Sequence, residues 1–101
     1  MAKERPKRLG QKLATIRKAL DLSQNEMIRH LRLSDRLTRE EISAYERGVR
    51  DPSLPTLLVY SRVAGVHLED IVDDELDLPS KLPGNLKYQG IKTRARSQKN
   101  R

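Results

Sequence analysis

The chain has 101 residues, 36% of them hydrophobic and 35% charged, with a formal net charge of +7 and no cysteine, so it has room for one small domain and none for disulfides or a thiolate metal site. No apolar run approaches the roughly 18 residues that cross a bilayer and no signal-peptide core follows the N-terminus, which predicts a soluble, cytoplasmic protein with no membrane partner. The charge is divided into three blocks: 13 basic and 7 acidic side chains in residues 1–50, 1 and 7 in residues 51–77, and 7 and 0 in residues 78–101.

Residues 1–8, with Lys3, Arg5, Lys7 and Arg8 around Pro6, read as a basic arm. Leu9, Leu13, Ile16 and Leu20 then recur at spacings of four, three and four, which places one apolar stripe on an amphipathic helix over residues 9–20. Asp21 ends it.

Two start signals follow, written to one formula: Leu22-Ser23-Gln24-Asn25-Glu26-Met27 and Leu37-Thr38-Arg39-Glu40-Glu41-Ile42. In each, a Ser or Thr can cap the helix while the Glu three residues on reaches back, and the flanking apolar pair can close as a hydrophobic staple. The first predicts a helix over residues 24–31 that buries Met27, Ile28 and Leu31. The second predicts a helix over residues 39–47, with Gly48 as its C-terminal stop. At about 100° per residue, Ile42, Tyr45 and Val49 share one face of this helix, whereas Leu37 would point away from it. Leu37 therefore fits as a staple outside the helix, although residues 32–37 could form either a long turn or an extra turn of helix.

After the linker Val49-Arg50-Asp51-Pro52, Ser53 caps a fourth helix that tolerates Pro55 in its first turn. Its apolar set is Leu54, Leu57, Leu58, Val63 and Ala64, and Gly65 closes it. A fifth helix is expected from Leu68 to about Leu76, burying Leu68, Ile71 and Val72, with Glu69, Asp70, Asp73, Asp74, Glu75 and Asp77 on its outer side. Pro79 and Pro83-Gly84 end regular structure, and the polar, basic remainder is expected to be disordered on its own. The organisation is thus an arm (1–8), an all-α domain (9–78) and a basic tail (79–101). Two short capped helices joined by a polar connection in a basic chain point first to DNA.

Leu22-Ser23-Gln24, Ile42-Ser43-Ala44-Tyr45-Glu46-Arg47-Gly48, Pro52-Ser53 with Leu57-Leu58, and Ala64-Gly65-Val66 with Leu68 and Ile71 together resemble the XRE family of bacterial and phage Cro-like repressors, over residues from about 9 to 76. The resemblance implies a compact five-helix fold whose second and third helices form the DNA-reading unit, with the third in the major groove. It also implies an ion pair between Arg17 and Glu46, more structural than functional. Relative to the family pattern, about four residues are inserted around residues 34–37. A longer turn keeps the third helix in register; an added helical turn would change which side chains lead into the groove.

With Arg39 at zero on a helical wheel, Ser43 falls near about 40°, Arg47 near 80°, Glu40 near 100° and Ala44 near 140°. The resemblance implies base-edge contacts from Arg39, Glu40, Ser43 and Ala44. Arg39 suits guanine, Glu40 the cytosine N4 amine and Ala44 a thymine methyl, while Glu40 can equally be a favourable charge at the helix N-terminus. The family commonly uses the position of Gln24 to touch phosphate and brace the third helix. Arg36, Arg47, Arg50, Lys7 and Arg8 are candidates for phosphate contacts.

His30 and His67 lie far apart with no cysteine companions, so no metal site is expected, and no Ser, His and acid grouping forms a catalytic motif. No cofactor and no enzyme activity are expected. Tyr45 and Tyr60 follow apolar faces and belong to the core or its edge, whereas Tyr88 lies in the tail. The leading expectation is a sequence-specific bacterial regulator that binds double-stranded DNA at the nucleoid, as a homodimer on a pseudo-palindrome. The alternative is an antitoxin-like module whose C-terminal tail binds a protein partner while its helix-turn-helix autoregulates. A third reading has the tail wrapping the acidic face of the fifth helix.

Overall fold

The computed structural model describes residues 6–83. Within them the chain folds into α1 (Leu9–Ala19), α2 (Gln24–Leu31), α3 (Arg39–Glu46), α4 (Leu54–Ala64) and α5 (Leu68–Val72), and no strand occurs among the described residues. The all-α, five-helix expectation is therefore borne out. The outer part of the arm, with Lys3 and Arg5, and the tail beyond residue 83, with Tyr88, lie outside the described residues.

Both duplicated start signals form complete capping boxes. The Ser23 hydroxyl accepts from Glu26 N (3.0 Å) while Glu26 Oε1 accepts from Ser23 N (2.7 Å). Thr38 and Glu41 repeat the exchange at 3.2 and 3.0 Å. Each box satisfies two amides that the helix itself leaves unpaired. Leu37 and Ile42 are both buried next to the second box, as a staple requires. At α4 the Ser53 hydroxyl accepts from Thr56 N (3.3 Å), and the His67 amide at the head of α5 donates to the Asp70 carboxylate (3.2 Å).

Residues 32–37 form a turn with no added helix. Arg32 adopts the left-handed conformation (φ 61°), Leu33 N donates to Ile28 O (3.2 Å), and Arg36 N and Leu37 N both donate to Leu33 O at 2.9 Å. These bonds close α2 and leave Thr38 extended to cap α3, so α3 begins at Arg39.

The core gathers Leu9, Leu13, Ile16 and Leu20 with Met27, Ile28, Leu31, Ile42, Tyr45, Leu57, Tyr60, Ala64 and Ile71. α1 packs on α3 and α5, α2 packs on α3 and α4, and α4 packs on α5. Three expected apolar residues, Val49, Leu54 and Leu58, lie outside it. Val49 is 63% exposed because α3 stops at Glu46 and Gly48 takes φ 75°, which turns the chain before Val49 can continue the helical face. Leu54 is 61% exposed at the first position of α4, whose buried side is built from Thr56, Leu57, Tyr60, Ser61 and Ala64, with Leu58 and Val63 only partly buried.

α5 is shorter than expected: it ends at Val72 rather than near Leu76. The Asp73 carboxylate accepts from Glu75 N (2.9 Å), a local turn that competes with helix. The buried Lys12 ammonium then takes the carbonyls of Asp70 (2.8 Å), Asp73 (2.9 Å) and Leu76 (2.6 Å). A cation from α1 thus satisfies the backbone at the end of α5. Packing also continues past residue 78, where the sequence places the end of the domain, because Leu82 is buried in the core.

Candidate nucleic-acid interface

α3 buries Ile42 and Tyr45 against the core and turns Arg39 and Glu40 outward as exposed side chains, with Ser43 and Ala44 partly buried beside them. Gly48, in the left-handed region, lets Val49 N return to Ala44 O (2.9 Å) and so terminates the helix within eight residues. A short helix with one buried and one open face results. The open face carries the four residues expected at base edges.

A polar cluster fixes this helix from behind. Arg17 Nε donates to Glu46 Oε2 at 2.7 Å and Nη2 to Oε1 at 3.0 Å, while Nη1 donates to Leu22 O at 2.9 Å. Gln24 Nε2 donates to the same Glu46 Oε1 at 3.2 Å. The two charged side chains are only 15% and 7% exposed. The bidentate bond to Glu46 holds Arg17 more firmly protonated, against the opposing effect of burial. The Glu46 carboxylate thus joins α1, α2 and α3, and the Arg17 guanidinium ties in the α1–α2 connection, so the ion pair implied by the resemblance is present in the structure, and so is the brace from Gln24. The Tyr60 hydroxyl, buried and without a hydrogen-bond partner among the described residues, is raised in pKa chiefly by burial, with the Glu46 charge adding to the effect.

Gly10 provides the close approach of α1 to the end of α3. A Cβ at Gly10 would lie 2.7 Å from Tyr45 O, 2.8 Å from Glu46 O and 3.0 Å from Gly48 N, all backbone atoms. Gly10 and Lys12 are the two positions that sequence reasoning missed. Both had a signal: a glycine inside a helical pattern, and a lysine one residue before Leu13 on the stripe that runs from Leu9.

The arginines are distributed unevenly. Arg36 in the inserted turn and Arg50 after α3 are exposed. Arg47 folds back along α3, with Nε donating to Ser43 Oγ at 3.2 Å. Arg8, expected at phosphate, is already engaged: it donates to Asp74 O (2.8 Å), Leu76 O (3.3 Å) and Asp77 Oδ1 (2.6 Å). The Lys7 and Arg8 amides donate to the Asp74 carboxylate at 2.8 and 2.9 Å, and these bonds lower its pKa. The carboxylate sits at the N-terminal end of α1, where the helix dipole favours a negative charge. The acidic segment is therefore gripped by the N-terminal arm and α1; the tail beyond residue 83 lies outside the described residues.

No group of three or more metal-ligating side chains occurs among the described residues, and no helix there is long and apolar enough to cross a membrane. No curated protein and no solved structure matches the chain. A family model described as helix-turn-helix matches residues 13–71, from the middle of α1 to the core residue of α5, and includes the braced α2–α3 unit. The chain belongs to the XRE family of helix-turn-helix DNA-binding transcriptional regulators.

Proposed function

We propose that the protein is a sequence-specific bacterial regulator that occupies an operator in the cytoplasm, with α3 in the major groove. The observation that carries this reading is the open face of α3, with Arg39 and Glu40 exposed in its first turn, on a helix held from behind by Arg17, Gln24 and Glu46. N-terminal residues of a recognition helix are the ones that meet base edges. Arg39 is assigned to a guanine, Glu40 to a cytosine N4 amine, Ala44 to a thymine methyl and Ser43 to the same reading face. Gln24, Arg36, Arg50 and Lys7 are assigned to phosphates, where they add affinity without sequence preference. Arg8 can join them only by leaving Asp77.

So few base-reading side chains give limited discrimination, which favours two copies on a pseudo-palindromic site. The protein-partner reading rests on the basic segment after Pro83, outside the described residues. Selection of sites from a random duplex library at about 0.15 M salt tests the proposal, since nonspecific attraction is strongly screened there. A converged inverted repeat with half-sites about one helical turn apart is expected. Salt-sensitive binding without convergence would refute sequence-specific operator recognition.

A further inference from the structure

Arg39, Ser43 and Arg47 form a row at successive i, i+4 positions on the open face of α3. Long helical side chains lean toward the N-terminus of their helix, and Arg47 does so: its Nε donates to Ser43 Oγ, one turn nearer the end that enters the groove. This bond uses only the Nε–H. Neither terminal nitrogen of Arg47 is bonded within the described residues, so both remain available as a planar pair of donors. Such a pair matches O6 and N7 of guanine in the major groove.

We infer that Arg47, positioned by the Ser43 hydroxyl, reads the edge of a guanine, in place of the phosphate contact expected from the sequence. The inference rests on the major-groove reading of α3 proposed above. Ser43 then acts through Arg47, and its hydroxyl restricts the guanidinium to one plane. The two roles of an arginine separate experimentally. A phosphate contact strengthens binding to all sequences alike and contributes about one unit to the salt slope, whereas a bidentate base contact sets preference at one base pair.

The discriminating variant is Arg47→Lys, which keeps the charge but cannot present two donors in one plane. Site selection followed by competition titrations would be run on the full chain, on Arg47→Lys and on Ser43→Ala, with thermal melts to confirm that each variant is folded. Arg47→Lys is expected to keep the salt slope and to lose roughly 5- to 150-fold preference for guanine at a single base pair. Ser43→Ala is expected to lose part of the preference at that same pair. Unchanged preference in Arg47→Lys would overturn the base contact. A Ser43→Ala effect at a different pair, or at none, would overturn the positioning role. Failure of the unmodified protein to select any motif would defeat the operator reading itself, whereas a clear parental motif insensitive to Arg47→Lys would defeat this inference alone.

Discussion

Replacing Gly10 with alanine isolates the contact on which the placement of α3 depends. In an ordinary helix interior this exchange stabilises by about 1 kcal/mol, because glycine has more backbone freedom to lose. Here the new methyl would meet Tyr45 O at 2.7 Å and Glu46 O at 2.8 Å, and neither is a side chain that could rotate away. α1 must retreat from α3 by about half an ångström, loosening the packing of the two helices in a core that tolerates little added volume. Overpacking of this kind costs roughly 1 to 3 kcal/mol, so the net effect is a loss of up to about 2 kcal/mol. For a domain of this size that lowers the melting temperature by up to roughly 15 °C. Thermal and urea unfolding followed by circular dichroism measures it directly. A Gly10→Ala protein that melts above the parent would show that the two helices do not approach as closely as described, and would remove Gly10 from the support of α3.

Arg17→Ala is expected to lower stability by about 2 to 4 kcal/mol, since it leaves the Glu46 carboxylate nearly buried with Gln24 as its one remaining side-chain partner among the described residues; urea melts that coincide with the parent would contradict this. Below its melting point the same variant should keep its base preferences in site selection. Tyr60→Phe removes a buried hydroxyl that has no partner among the described residues, and should be neutral or stabilising by up to about 2 kcal/mol, measured by urea unfolding. Acid should loosen the contact between arm and acidic segment. Asp74 and Asp77 have pKa values lowered in the folded state, the first by the Lys7 and Arg8 amides and the second by the Arg8 guanidinium. Their contribution is present above the unfolded carboxylate value of about 3.9 and is lost as pH falls through their lower folded values. Parent and Asp74→Asn should therefore differ in melting temperature near neutrality and converge in strong acid, and a constant difference would refute the assignment.

The helix starts were legible because they are local: a cap, its reciprocal Glu and a staple lie within six residues, as at Leu22–Met27 and Leu37–Ile42. The apolar stripe of α1 and the burial of Tyr45 and Tyr60 were legible for the same reason, since helical geometry alone sets their faces. The open face of α3, with Arg39, Glu40, Ser43 and Ala44, follows from that same periodicity. Only the tertiary structure decided what lies between distant segments. Arg8 and Lys12 meet residues 70–77 across separations of 58 to 69 residues, and no periodicity announces which carbonyls will need a cation. The helix also stops at Val72 and Leu82 lies in the core, where composition predicted an acidic helix running to about Leu76 and a tail starting at residue 79. Gly10 belongs to this second class as well: its missing side chain matters only because the backbone of α3 arrives against it. Propensity and capping energies depend on neighbours along the chain, whereas desolvation, close approach and ion pairing depend on neighbours in space, and these decided how the reading helix is held.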